Sequence, residues 1–298
     1  SAHIAWMPID RLPMLEDLRD AGELPLRLHM FLDGRDADLD SELSKGPRFD
    51  DWLNISGVKY FADGALGSKG AHLHLPYADG STGLVLETTP HLQERCAALA
   101  GTGWQIAIHA IGDAAATSVL DAFEAIAPVD RETTRPRMEH CQMLRDDDVE
   151  RFGELGVVAS VQAIHMHSDA TWAVDQLSEE QLRRLFRWRE LQQIAPCVAG
   201  GSDYPIEDPN PWHGIAASSA RQDRKGRVFR GEEALSRTEA LRSYTEGAAW
   251  AAHRETRCGR LDVGFLADFI ALDRDPFTSS DEEIWDMQVP GTWIGGVR

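Results

Sequence analysis

The sequence predicts an α/β protein of the (β/α)8 TIM-type barrel class, lacking its first two strands and carrying a small C-terminal β appendage. Three observations lead there. Short, largely apolar runs recur, most followed by a turn and a stretch with helical spacing, which is the alternation of βα units around a parallel sheet. Six strand candidates spread over about two hundred residues, close to the roughly 30 residues that each barrel unit occupies. Four polar residues stand within or just past those strands, 50, 31 and 63 residues apart, spacings of one long, one plain and two combined units.

The strand candidates are Leu26–Leu32, Gly57–Phe61, Gln105–His109, Arg137–His140, Val157–Gln162 and Cys197–Gly200. Between them, Asp113 is placed to cap a helix over Ala114–Ile126, and Asp146 or Asp147 to open one that ends near Gly153 or Gly156. Pro205–Pro211 forms a rigid, turn-rich loop suited to the barrel mouth. Ser236 and Glu239 have the spacing of a capping box ahead of a helix over Ala240–Ala252. Residues 1–253 thus read as the barrel, strands three to eight. In 254–298 the short runs Gly259-Arg260-Leu261, Ala267–Leu272 and Gly291–Val297 read as strands returning to a small β-sandwich. The two absent strands would precede Ser1; the opening Ser1-Ala2-His3, without an initiator Met, reads as a processing scar or the edge of a larger protein.

With 43% hydrophobic and 27% charged residues, a 298-residue chain buries one large core. Neither a membrane span nor a signal segment is visible, and the four cysteines form no CxxC pair, so a soluble, cytoplasmic protein is expected. A net charge of −19 argues against nucleic acid and anionic membranes as partners.

The four strand-end residues are Lys59, His109, His140 and Asp203. Catalytic groups of a barrel collect at the C-terminal ends of its strands, so these side chains would share one mouth. Two imidazoles and a carboxylate suit zinc, manganese or iron. A lysine ammonium would repel such an ion, but a desolvated lysine loses its proton more easily, and the free amine can take up carbon dioxide to become a carbamate with two oxygen ligands. The bland alternative for Lys59 is a salt bridge, and for a lone strand-end histidine a hydrogen bond in the core. Asp63 reads as turn chemistry or outer support rather than a ligand.

Gly57-Val58-Lys59-Tyr60-Phe61-Ala62-Asp63-Gly64-Ala65-Leu66-Gly67-Ser68, His109-Ala110-Ile111-Gly112-Asp113, Glu139-His140-Cys141 and Gly201-Ser202-Asp203-Tyr204-Pro205 resemble the amidohydrolase superfamily, in the branch that contains N-substituted formamide deformylase. The likeness runs nearly end to end, closing with Gly259–Gly264 and Ala267-Asp268-Phe269. It implies Lys59, His109, His140 and Asp203 as ligands of one or two ions, zinc foremost, with Lys59 carboxylated. Gln162 and His165 match a Gln-Pro-x-His element of the family and are expected to bind substrate, although Ala163 stands where the family has proline. Trp212, beside His213, is expected either to line the substrate pocket or to pack. The family's first-strand His-x-His has no counterpart; His72/His74 and His165/His167 have the spacing but lie elsewhere.

The expected activity is hydrolysis of an amide or related C–N bond of a small molecule, other than a peptide bond, by metal-activated water with Asp203 as general base and acid. The alternative is an inert barrel remnant that binds a partner to cover its open strand edges, with homo-oligomerisation or a preceding segment as the means.

Overall fold

A computed structural model describes residues 1–298. Its centre is a sheet of seven strands in sequential order, all parallel: β1 (Ala2–Met7), β2 (Leu28–Asp33), β3 (Leu53–Phe61), β4 (Gln105–Ala110), β5 (Arg137–His140), β6 (Val158–Val161) and β7 (Cys197–Gly200). The helices are α1 (Leu12–Asp20), α2 (Leu39–Leu43), α3 (Thr89–Leu99), α4 (Asp113–Phe123), α5 (Pro128–Thr134), α6 (Asp146–Leu155), α7 (Ala163–Gln176), α8 (Glu179–Arg184), α9 (Trp188–Ile194), α10 (Pro211–Ala220), α11 (Arg237–Arg242), α12 (Ala248–Ala251) and α13 (Asp281–Trp285). All six expected strands form. The seventh, Ala2–Met7, escaped the sequence reading, so the expectation of six is corrected to seven; an apolar hexamer at the start of the chain has no turn signal ahead of it to mark it as a strand.

Strand pleating divides the sheet into two faces. Met30, Leu32, Ile55, Val58, Tyr60, Ile106, Ile108, Met138, Ala159, Val161 and Val198 belong to the core cluster shared with the helices. Alternating with them on the opposite face are His29, Phe31, Lys59, Gln105, His109, Arg137, Glu139 and Ser160. Curvature brings distant strands together there: Arg137 on β5 lies 3.0 Å from His3 Nδ1 on β1 and stacks over Phe31 of β2. Gly57 is required at one close approach, since a Cβ would meet the Phe31 ring at 2.1 Å. β1 and β7, the two ends of the sheet, do not pair with each other.

The expected capping box of Ser236 and Glu239 opens α11, which continues through a π-helical turn, Ser243–Gly247, into α12. Asp146 begins α6, and Gly156 ends it in the left-handed conformation. Asp113, expected as a cap, is not one: no side chain caps α4, and the buried Asp113 carboxylate accepts from His74 N–H at 3.0 Å and pairs with Arg184 at 2.5 Å. In the C-terminal segment, β8 (Phe269–Ala271) and β9 (Gly291–Trp293) pair antiparallel, whereas Gly259-Arg260-Leu261 forms no strand. Asp268 accepts from Arg27, at 2.6 Å and 3.1 Å, which ties this segment to the start of β2. All four cysteines are free, and no helix is long and apolar enough to cross a membrane.

Candidate active site

The mouth is built where β3, β4, β5 and β7 end. β3 carries Lys59, 3% exposed, with its Nζ 3.9 Å from the centre of the Phe61 ring. Burial pulls the Lys59 ammonium down to about 8, against the opposing influence of Glu139 and Asp203. β4 brings His109 and β5 brings His140, their ring centres 4.4 Å apart and their planes at 68°. His140 stacks in turn on His165 of α7, at 6.0 Å and 14°. Asp203 stands past the end of β7 at the open rim; the protein mass around its carboxyl nonetheless raises its pKa, while Lys59 pulls the other way. The mouth therefore assembles Lys59, His109, His140 and Asp203 from four strands, with His165 beside them.

Gln162 Oε1 lies 2.7 Å from His140 Nδ1. With Nδ1–H donating to that oxygen, the imidazole is fixed in the tautomer whose Nε2 keeps its lone pair. Burial holds this imidazole well below its usual pKa, and therefore neutral. Gln162 is a positioning residue for His140, a role the sequence did not suggest. His109 Nε2 is buried without a hydrogen bond, although Asp63 Oδ1 lies 3.3 Å away, and His165 Nε2 is buried and unpartnered as well. Burial brings His165 down to about 4. Trp212 sits on α10 within the hydrophobic core, 3% exposed, with its indole Nε1 unpartnered.

The backbone at the mouth is strained. His140, Cys141 and Asp203 all have positive φ, at 78°, 47° and 57°, a region that costs a side-chain-bearing residue about 1–3 kcal/mol. Asp63 organises the neighbouring loops, its carboxylate accepting backbone N–H groups of Ile111, Gly112 and His72 at 2.8–3.0 Å. That is the turn chemistry expected of it. The His72 and His74 rings are hydrogen-bonded to Thr82 O and Thr117 Oγ1, and the His167 ring to Gln222 O.

Glu139 is the functional candidate that sequence reasoning passed over. It is 3% exposed, pairs with Arg137, and faces Lys59 and Asp203 electrostatically; Arg137 is itself anchored by Ser160 Oγ at 2.9 Å. Charges at alternating positions of a buried strand, Arg137 and Glu139, were the available signal.

No three His, Cys, Asp or Glu side chains converge into a ready-made metal cage. The donor chemistry still suits a divalent ion: His109 has an orphaned buried ring nitrogen, His140 an oriented one, and an amine and a carboxylate stand beside them.

A parallel, curled α/β sheet with histidine, lysine and aspartate gathered at its strand ends defines a barrel-type protein with a polar mouth. Residues 6–298 match the model of the amidohydrolase family, and the chain belongs to that family. It is 35% identical over 263 residues to the Arabidopsis thaliana protein LONG AFTER FAR-RED 3, covering 87% of this chain and 45% of that one. To the N-substituted formamide deformylase of Arthrobacter pascens it is 28% identical over 196 residues, 65% of this chain and 36% of that protein. An uncharacterized metal-dependent hydrolase from Pyrococcus furiosus superposes with a TM-score of 0.83 at 32% identity, covering 93% of this chain and 57% of that one. The chain thus spans about half the length of such relatives, or less.

Proposed function

We propose that the chain carries the greater part of the active site of a metal-dependent hydrolase for an amide or related C–N bond, other than a peptide bond, in a small molecule. The observation that carries this reading is the convergence of His109, His140, Lys59 and Asp203 on one mouth, with an orphaned buried nitrogen on His109 and an oriented imidazole at His140. Family membership and the likeness to a metal-dependent hydrolase support it. His109, His140, Lys59 and Asp203 would hold the ion, zinc by preference for two imidazoles and carboxylate oxygens.

When bound, such an ion polarises the substrate carbonyl and lowers the pKa of water toward neutrality. The remaining work falls to side chains. Burial lowers the Lys59 ammonium toward the neutral amine, and the amine joins carbon dioxide with loss of a proton, giving a carbamate that reverses the charge at that position. Asp203, whose pKa burial raises, takes the proton of the attacking water and delivers it to the leaving nitrogen. Gln162 keeps His140 in one tautomer. An ester or lactone carbonyl fits the same chemistry.

The second reading, an inert remnant that binds a partner, is favoured by one observation, the unpaired outer edges of β1 and β7. Metal content by elemental mass spectrometry separates the two. The hydrolase reading expects about one or two equivalents of transition metal, lost in His109→Ala and Asp203→Asn. Gln162→Ala should weaken the ion's affinity about 10–100-fold in a competing-chelator titration. Formate release from an N-substituted formamide is the matching activity assay. Metal-free protein in all forms would leave the inert reading standing.

A further inference from the structure

A second cleft lies where α7, α10 and α13 meet. Its volume is about 300 Å³, the lower end of the range for small-molecule sites, and none of Lys59, His109, His140 and Asp203 lines it. α13 supplies its charge. A capping box of Ser280 and Glu283 starts this short helix, and the fully buried Ile284 ties it into the core. Asp281 and Trp285, like Glu282 and Asp286, stand one helical turn apart, and all four line the cleft.

The floor is apolar, because Ala216, Ala217 and Ala220 of α10 bring only methyl groups to it. Two aromatic rings make a wall. Trp285 is held by His213, stacked on it at 4.4 Å and 14°, while the His167 ring meets it at 4.6 Å with a tilt of 42°. His167 is fixed in turn, its Nδ1 lying 2.8 Å from Gln222 O. The rim is anionic. Asp281 Oδ1 accepts from Arg237 at 2.6 Å and from Ser219 at 3.1 Å, and Arg274 pairs with Asp273, so Glu282 and Asp286 keep their charges without an ion pair. No lysine or arginine lines the cleft.

We propose that this cleft binds an organic ammonium ion with small alkyl substituents, at a site separate from the strand-end mouth. Charge complementarity selects a cation, since carboxylates attract it at the rim and the electron-rich faces of aromatic rings attract it within. The apolar floor selects an alkylated one. A bare metal ion needs several converging oxygen or nitrogen ligands, and no three His, Cys, Asp or Glu side chains converge here. Alkyl groups on the nitrogen cover the alanine methyls and spread the charge, so that the ion gives up its water at lower cost than a compact ammonium. The inference stands apart from the hydrolase reading and needs neither metal nor turnover.

Calorimetric titration of the chain with choline and with its uncharged carbon isostere, 3,3-dimethylbutan-1-ol, isolates the charge at constant shape. Choline should bind about tenfold more tightly at low salt, a preference that shrinks as salt is added. The double variant Glu282→Gln with Asp286→Asn should remove most of the preference while leaving the isostere's affinity nearly unchanged. Trp285→Leu should weaken choline more than the isostere, and unfolding curves in denaturant establish that each variant is folded. Glu150→Gln, on the exposed side of α6, removes one charge away from the cleft and should leave the preference intact. Equal affinity for the two probes, no binding of choline, or a loss of preference in Glu150→Gln as large as in the rim variant would overturn the proposal, the last because it would assign the effect to the overall charge of −19.

Discussion

Asp169 shows how one buried group registers in stability. It lies on α7 behind the mouth and accepts from Gln142 Nε2 at 2.7 Å, yet burial, with Glu207 nearby, pushes its carboxyl up to about 6. An unfolded aspartate titrates near 3.9. The folded state therefore holds this proton more tightly than the unfolded state, so folding is favoured below about pH 4 and loses stability as pH rises from about 4 to 6. Asp169→Asn keeps an acceptor for Gln142 and removes the charge. It should stabilise the chain by about 1–2 kcal/mol at pH 7 and leave stability nearly unchanged at pH 4, read from urea denaturation at both values. A gain of equal size at both would remove titration as its cause. The strained residues His140, Cys141 and Asp203 belong to the same scale, since backbone strain gathered at one mouth points to a site rather than to a packing accident.

At the scale of elements, the C-terminal helical run is shaped by the edge of the sheet. Its π turn, Ser243–Gly247, lies against β7, where Tyr244 OH donates to Gly201 O at 3.1 Å and Cys197 Sγ lies 3.1 Å from Gly247 O. A Cβ on Gly247 would stand 2.4 Å from Val198 O, backbone against backbone, with no flexible group to yield. Gly247→Ala raises intrinsic helix propensity but forces that contact apart. The contact should win, lowering stability by about 1–3 kcal/mol; unchanged or higher stability in denaturant would show that the helix can shift without cost. The capping box of Ser236 and Glu239 was readable in advance because it is local, whereas the π turn is dictated by a strand some forty residues away.

For the whole molecule, the open sheet sets attraction against charge. β1 and β7 each leave one edge without a partner strand, an invitation to pair with another chain, while a net charge of −19 drives copies apart. Screening should shift the balance. Sedimentation velocity is expected to show association that rises with protein concentration and strengthens with added salt; a monomer under all these conditions would mean that the edges are covered well enough by their own loops.

Sequence alone determined six of the seven parallel strands, because pleating and βα alternation write a short-range period into the chain, and it picked out Lys59, His109, His140 and Asp203, because barrel strands end in the residues that face the mouth. Tertiary structure decided the rest. Only folding shows that Gln162 orients His140, that Asp63 ties three backbone amides from two loops, that Asp113 binds Arg184 instead of capping its helix, and that Glu139 faces Lys59 and Asp203. Each of these relations joins groups whose spacing along the chain follows no period. A side chain's partner is set by where the backbone returns in space, and neither residue carries a mark of that return by itself.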